Sequence, residues 1–179
     1  MSTRLKTAVA VLSVALLGAA IYGWWLHDAP RRASLASLGR LDAALRSGNR
    51  VDLLELLVLP AAIRNRTPSE QSEFLNKALH NEISAEGLAE LRRSGAFGPL
   101  KNVFPTEAEA WARLAGVHPD DCVAYKLERN GVRAEVVLLT PSNFESKASH
   151  GKAPYRIVRV NNVRQLAESA TISTTENKP

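Results

Sequence analysis

The chain has 179 residues, 23 Lys and Arg against 18 Asp and Glu, a formal net charge of +5 and one cysteine, Cys122. A single cysteine excludes an intrachain disulfide and a cysteine metal cluster. The basic residues are scattered along the chain among acids, with no arginine-rich tract and no interleaved aromatics, so the positive balance describes solvated faces and argues against nucleic acid as a partner.

The first element is Thr7 to Leu26, a run of 20 residues without a charge. At about 1.5 Å rise per residue, such a helix crosses the roughly 30 Å hydrocarbon core of a bilayer. Arg4 and Lys6 precede it, and Tyr22, Trp24 and Trp25 stand at its far end, where amphipathic rings favour the headgroup layer. The layout predicts a tail at 1–6, a transmembrane signal anchor at 7–26, a juxtamembrane linker at 27–33 and a soluble domain at 34–168. A cleaved signal peptide is the alternative: Thr7 to Leu17 has the length of an h-region, and Gly18-Ala19-Ala20 supplies small residues for cleavage. The apolar run continues through a paired Trp, which favours the anchor. Arg31, Arg32 and Arg40 follow the span and rival the basic side chains before it. A short tail is easily retained while a whole domain translocates largely regardless of such charges, so an extracytoplasmic, periplasmic domain is expected. Within the span, Ala15, Ala19 and Gly23 recur every four residues as a candidate helix-packing stripe, against a reading as lipid-facing filler.

The first half of the domain reads as helices. Leu35, Leu38, Leu41 and Leu45 share one face, and Gly48 is a stop signal. Val51 to Leu59 is apolar nearly all round, which predicts a helix buried on most sides and ended by Pro60. Thr67-Pro68-Ser69-Glu70 is a start signal, with Thr67 capping and Glu70 reaching back; Phe74, Leu75, Ala78 and Leu79 follow as a core face. Ser84 opens another helix carrying Leu88 and Leu91, closed by Gly95. Pro99 to Phe104 reads as extended. Thr106 and Glu109 then suggest a capping box for a helix presenting Trp111, Leu114 and Ala115 and stopping at Gly116.

The second half changes period. Cys122 to Arg129 and Val132 to Thr140 flank Asn130-Gly131, whose residues tolerate the positive φ of a type I′ turn. With Arg129 opposite Val132, Glu128 meets Arg133 and Lys126 meets Glu135 on one face, while Leu127, Tyr125 and Val123 meet Ala134, Val136 and Leu138 on the other. Tyr155 to Val163 reads as a third strand after a long polar connection, Pro141 to Pro154. The tail at 169–179 is rich in Ser and Thr without apolar periodicity, and disorder is expected there.

In element order, with Trp111 in the helix before the sheet, Tyr125-Lys126-Leu127-Glu128-Arg129-Asn130-Gly131 in the hairpin and Tyr155-Arg156-Ile157-Val158 in the closing strand, the region from Ala33 to Ala167 resembles the nuclear transport factor 2-like superfamily. The resemblance implies an α+β fold in which helices pack on a curved, mainly antiparallel sheet that makes a cone. Members of this superfamily resemble isomerases and cyclases where the cone mouth carries acid/base residues, and assembly subunits of envelope machines where a transmembrane helix precedes the cone. This chain has the second layout.

No catalytic, metal or cofactor constellation stands out. In His118-Pro119-Asp120-Asp121-Cys122 the spacing matches no zinc pattern, and two carboxylates oppose a thiolate, so a polar turn ending in a buried Cys is expected. His80, His118 and His150 each lack a surrounding motif. Glu107 and Glu109 offer further carboxylates, and the loop with Lys147, His150 and Lys152 could touch lipid phosphates or be simply solvated. Tyr125 and Trp111 are candidate pocket-lining residues, with core packing as the plainer reading. Two functions follow. One is a single-pass membrane protein whose domain is a non-catalytic protein-interaction or assembly module, acting on a protein partner or as a homo-oligomer. The other is a membrane-tethered cone that binds or transforms a small apolar ligand of unknown identity.

Overall fold

A computed structural model of the chain describes residues 28–59, 61–71, 73–74, 82–149 and 153–168. The expected anchor with Ala15, Ala19 and Gly23, and the tail at 169–179, lie outside them. Among the described residues no helix is long and apolar enough to cross a membrane. These residues fall in two compact units, one up to Ala33 and one from Ser34. In the first, residues 28–33 are helical, and Arg32 Nη1 lies 3.2 Å from Asp28 Oδ2.

The second unit is α+β. Helix α1 (34–47) buries Ser34, Ser37, Leu38, Leu41 and Ala44, while Leu35 and Leu45 of the expected leucine stripe sit at its margins. The stripe turns because the two serines answer buried polar groups. Ser34 Oγ and the Tyr125 hydroxyl are 2.8 Å apart, and Tyr155 N donates to Ser37 Oγ at 2.8 Å. Gly48 then ends the helix at φ 66°.

Helix α2 (Arg50–Leu56) starts at Asn49, whose side chain accepts from Val51 N and Asp52 N. It stops short of the expected Leu59, and Val51 is 75% exposed. Leu57 forms a parallel bridge with Ile157, and Val58 N donates to Ile157 O at 2.8 Å. A continuous apolar run does not by itself separate a buried helix from a sheet edge, and here it is half of each. After α3 (Ala61–Arg64), Thr67 caps α4, helical at 68–71 and 73–74, with Thr67 N donating to Glu70 Oε2 at 2.9 Å as the sequence suggests. Helix α5 (Ala85–Ser94) likewise begins at Ser84, which accepts from Gly87 N, and closes at Gly95.

The next segment departs from expectation. The extended piece is β1 (Ala96–Pro99), and Leu100–Val103 is a turn of helix, α6. Leu100 and Phe104 are both buried in one cluster, and the helical turn stacks them on the same side one turn apart. Helix α7 (Ala108–Ala115) starts after Glu107 with no side-chain cap, so the capping box expected of Thr106 and Glu109 does not form; Thr106 Oγ1 instead donates to Glu107 Oε2 at 2.7 Å. Gly116 terminates α7 in the left-handed region at φ 69°. A 3-10 turn (Pro119–Asp121) leads into β2 (Cys122–Arg129) and β3 (Val132–Leu139). The expected polar connection contains α8 (Asn143–Ala148), opened by a capping box between Ser142 and Glu145. Then come β4 (Arg156–Asn161) and α9 (163–168).

The four strands form one antiparallel sheet in the order β1-β2-β3-β4. The hairpin register is the expected one, from Arg129 opposite Val132 through Lys126 opposite Glu135, with Asn130 and Gly131 at φ 50° and 76°. Because side chains alternate across a strand, the register sorts the sheet into two faces. Tyr125, Ala134, Val136, Leu138 and Ile157 join Leu38, Leu41, Leu56, Leu88, Leu91 and Leu166 in the larger core. Cys122, Ala124 and Val137 face the other way and meet Leu100, Phe104 and Ala108 in a second core. The sheet therefore has apolar cover from the chain on both faces.

Candidate functional site

The second face also carries a charged cluster built on Glu135. Glu135 is 2% exposed; its Oε2 accepts from Arg133 Nε at 3.2 Å and its Oε1 from Arg159 Nε at 2.9 Å. Arg133 Nη2 also donates to Glu107 Oε1 at 2.9 Å. The Arg133 guanidinium lies 4.8 Å from the centre of the Phe104 ring and that of Arg159 lies 4.7 Å from Trp111, the two rings being 4.7 Å apart. The expected ion pairs of Lys126 with Glu135 and of Glu128 with Arg133 are thus replaced, although the Cα register holds. Lys126 Nζ stands 5.8 Å from the Phe104 ring centre instead. The planar guanidinium both forks to a carboxylate and stacks on a ring, which an ammonium does not, and two arginines outcompete the lysine. The Thr106 hydroxyl, and after it Arg133, hold the Glu107 carboxyl below its usual range; Glu107 in turn raises Arg133.

Beside this network lies a groove of about 270 Å³, walled by Val58, Trp111, Leu114, Ala115, Val158 and Arg159. A register shift shapes it. Val137 pairs with Arg159 and Leu138 with Ile157, so Val158 is an extra residue in β4. Such a bulge re-aims side chains, and here two consecutive residues line the same groove. Helix α7 supplies the opposite wall. Three of its four alanines, Ala108, Ala112 and Ala115, are the buried face, whereas Leu114, expected in the core, is 74% exposed. Small residues at this spacing let the helix lie close to its neighbours and turn the larger Leu114 outward.

The two candidate pocket residues lie apart. Trp111 borders the groove. Tyr125 is fully buried on the opposite face, its ring 4.8 Å from that of Phe97 and its hydroxyl at Ser34. Leu114, Val58, Val158 and Arg159 were not legible as site residues. The spacing of Ala108, Ala112 and Ala115 along one face of α7 is a usable signal for Leu114, but the bulge beside Val158 leaves none.

The His118 to Cys122 cluster is the expected polar turn. His118 Nδ1 accepts from Asp120 N at 3.3 Å, and Asp120 Oδ1 takes Lys101 Nζ at 2.9 Å, which ties α6 to the turn. Lys101 lowers the Asp120 carboxyl and is itself raised by it. Among the described residues no group of acidic, His and Cys side chains is arranged to hold a metal ion. Cys122 is buried, its Sγ donates to His118 O at 3.6 Å, and burial followed by Asp121 pushes its thiol up to about 11. At pH 8 roughly one molecule in a thousand carries the thiolate, so iodoacetamide is expected to label the unfolded chain at least about a hundred times faster than the folded one, as read by intact mass. His80, His150 and Lys152 lie outside the described residues.

A second depression of about 470 Å³ includes His118, Asp121, Thr140, Ser142, Glu145 and Arg156 in its walls. Several of its polar groups already serve the fold. Thr140 Oγ1 donates to Asp121 O, Ser142 and Glu145 form the cap of α8, and Arg156 Nη2 lies 3.4 Å from Glu145 Oε1. Comparison of the chain with protein-family models, curated proteins and solved structures finds no match.

Proposed function

We propose that this is a single-pass membrane protein, anchored by residues 7–26, whose α+β domain is a non-catalytic protein-interaction or assembly module on the extracytoplasmic side of the cell envelope. The observation that carries the interaction reading is the groove: Leu114 stands 74% exposed beside Trp111 in an apolar hollow. Interface energy concentrates in a few anchors enriched in Trp and Arg, and Trp111 and Arg159 both wall this hollow beside the exposed leucine. The alternative, a membrane-tethered domain for a small apolar ligand, would place the ligand in a cavity walled by Tyr125, but that side chain is packed against Ser34 and Phe97.

Complementation of a deletion strain tests this reading. Leu114→Asp is expected to abolish complementation at normal protein level, while alanine at His80, His118, Cys122 or His150 leaves it intact. Loss with any one of those four alanine variants, at normal folding and level, would move the assignment to an enzyme. Carbonate extraction with intact mass tests the anchor: the chain should stay in the pellet at full length, and a soluble product starting near Ile21 would overturn it.

A further inference from the structure

Two arginines share the buried Glu135, but they are not used alike. Arg133 has Nε on Glu135 and Nη2 on Glu107, so both sides of its fork carry carboxylates. Arg159 gives only Nε to Glu135, and among the described residues its Nη groups make no further hydrogen bond. Its side chain is nevertheless 38% exposed and belongs to the groove wall. The buried carboxylate fixes the guanidinium from one edge and Trp111 supports its plane at 4.7 Å. An arginine so oriented has lost much of its rotamer freedom before any ligand arrives, which lowers the entropic cost of a bidentate contact.

From this geometry we infer that the groove receives an extended peptide segment of a partner protein, in which a carboxylate side chain adjoins a large apolar one. The carboxylate takes the Nη edge of Arg159, and the apolar side chain lies between Leu114, Val58 and Trp111. Charge complementarity supports this occupant: among the described residues Arg159 is the one charged residue of the groove wall, with its Nε taken by Glu135 behind the wall and its Nη edge left for an incoming carboxylate. Size supports it as well. A volume of about 270 Å³ is below the roughly 300–1,000 Å³ usual for small-molecule sites and suits one or two side chains of a larger partner. The inference rests on the interaction reading above and names the chemistry of the partner.

The test uses the full chain in mild detergent as bait for a displayed library of random heptapeptides, with Leu114→Ser and Arg159→Lys as parallel baits. Leu114→Ser alters an exposed side chain and keeps the fold, so it serves even where Arg159→Lys does not fold. Enrichment of Asp or Glu next to Leu, Ile, Phe or Trp is expected, with the selected peptides binding at least about tenfold more weakly to both variants. Replacing Asp by Asn or Glu by Gln in the peptide should cost a similar factor. No enrichment, peptides without the carboxylate, or binding unchanged in Leu114→Ser would overturn the inference. So would displacement of the peptides by oleate at stoichiometric amounts, which would make the occupant a lipid, or a concentration-dependent dimer lost in Leu114→Ser, which would make it a second copy. Failure here with complementation still lost in Leu114→Asp would remove the acidic peptide and leave the interaction module; retained complementation in Leu114→Asp would remove both.

Discussion

Replacing Gly87 with alanine is expected to destabilise the domain by about 3 kcal/mol or more, although the same change in an exposed helix gains about 1 kcal/mol. Gly87 lies in the first turn of α5, where the backbone of Val163, at the start of α9, crosses it closely. A Cβ built at Gly87 would stand 1.8 Å from Val163 O and 2.7 Å from Val163 C. These are backbone atoms of a fully buried residue, so no side chain can swing aside and the two elements must separate. Gly39 in α1 is the internal control, because a Cβ there has only Arg92 Nη1 near, at 3.9 Å. Gly39→Ala should stabilise by about 0.5–1 kcal/mol through the lost freedom of the unfolded chain. Equilibrium urea unfolding of the two variants should therefore move the midpoint in opposite directions. A Gly87→Ala midpoint at or above wild type would refute the close crossing of α5 and α9.

Glu135→Ala should be the other costly change, at about 3 kcal/mol, which for a domain of this size lowers Tm by roughly 10 °C. Removing the carboxylate leaves two guanidinium groups without their common partner over the Phe104 and Trp111 rings. Their side chains are 37% and 38% exposed, so water relieves part of the penalty and the loss falls at the lower end for a broken buried pair. Glu135→Gln keeps the shape and one acceptor and should lose less, about 1–2 kcal/mol. Glu107→Ala, at the exposed end of the same network, should lose less than Glu135→Ala. Equal melting temperatures for Glu135→Ala and Glu107→Ala would show that burial does not set the strength of this network. The two Glu135 variants should also weaken peptide capture in the groove, because Arg159 loses the contact that orients it.

What could be read from the residues alone is what local chemistry decides. Asn130-Gly131 specifies a turn whose strands can be aligned without knowing the rest of the fold, and the alternation of Tyr125 and Leu127 with Lys126 and Glu128 selects one register. Ser84, Thr67 with Glu70, Gly48 and Gly116 mark helix ends because a cap is satisfied within a few residues. The same signal, Ser142 followed three residues later by Glu145, was present at α8 inside a segment read as a polar connection.

Other features depended on which surfaces meet. Ala96–Pro99 contains Gly and Pro and has little strand character of its own; it pairs because β2 offers an edge there. Lys126 stands opposite Glu135 and Arg133 two residues before it on the same face, and Arg133 takes the carboxylate because its guanidinium also reaches Glu107 and lies over Phe104, both of which arrive from a separate segment. Leu114 and Ala115 both follow Trp111 at plausible core spacing, but α7 approaches its neighbours on the face of Ala108, Ala112 and Ala115, so the leucine is left in water. The bulge at Val158, set by pairing across β3 and β4, then brings that leucine, Val158 and Arg159 to one groove. Short-range hydrogen bonds are satisfied by neighbours in the chain, which makes turns and caps properties of sequence. A groove is made of side chains left over once the cores have been filled, and only the packed structure determines which those are.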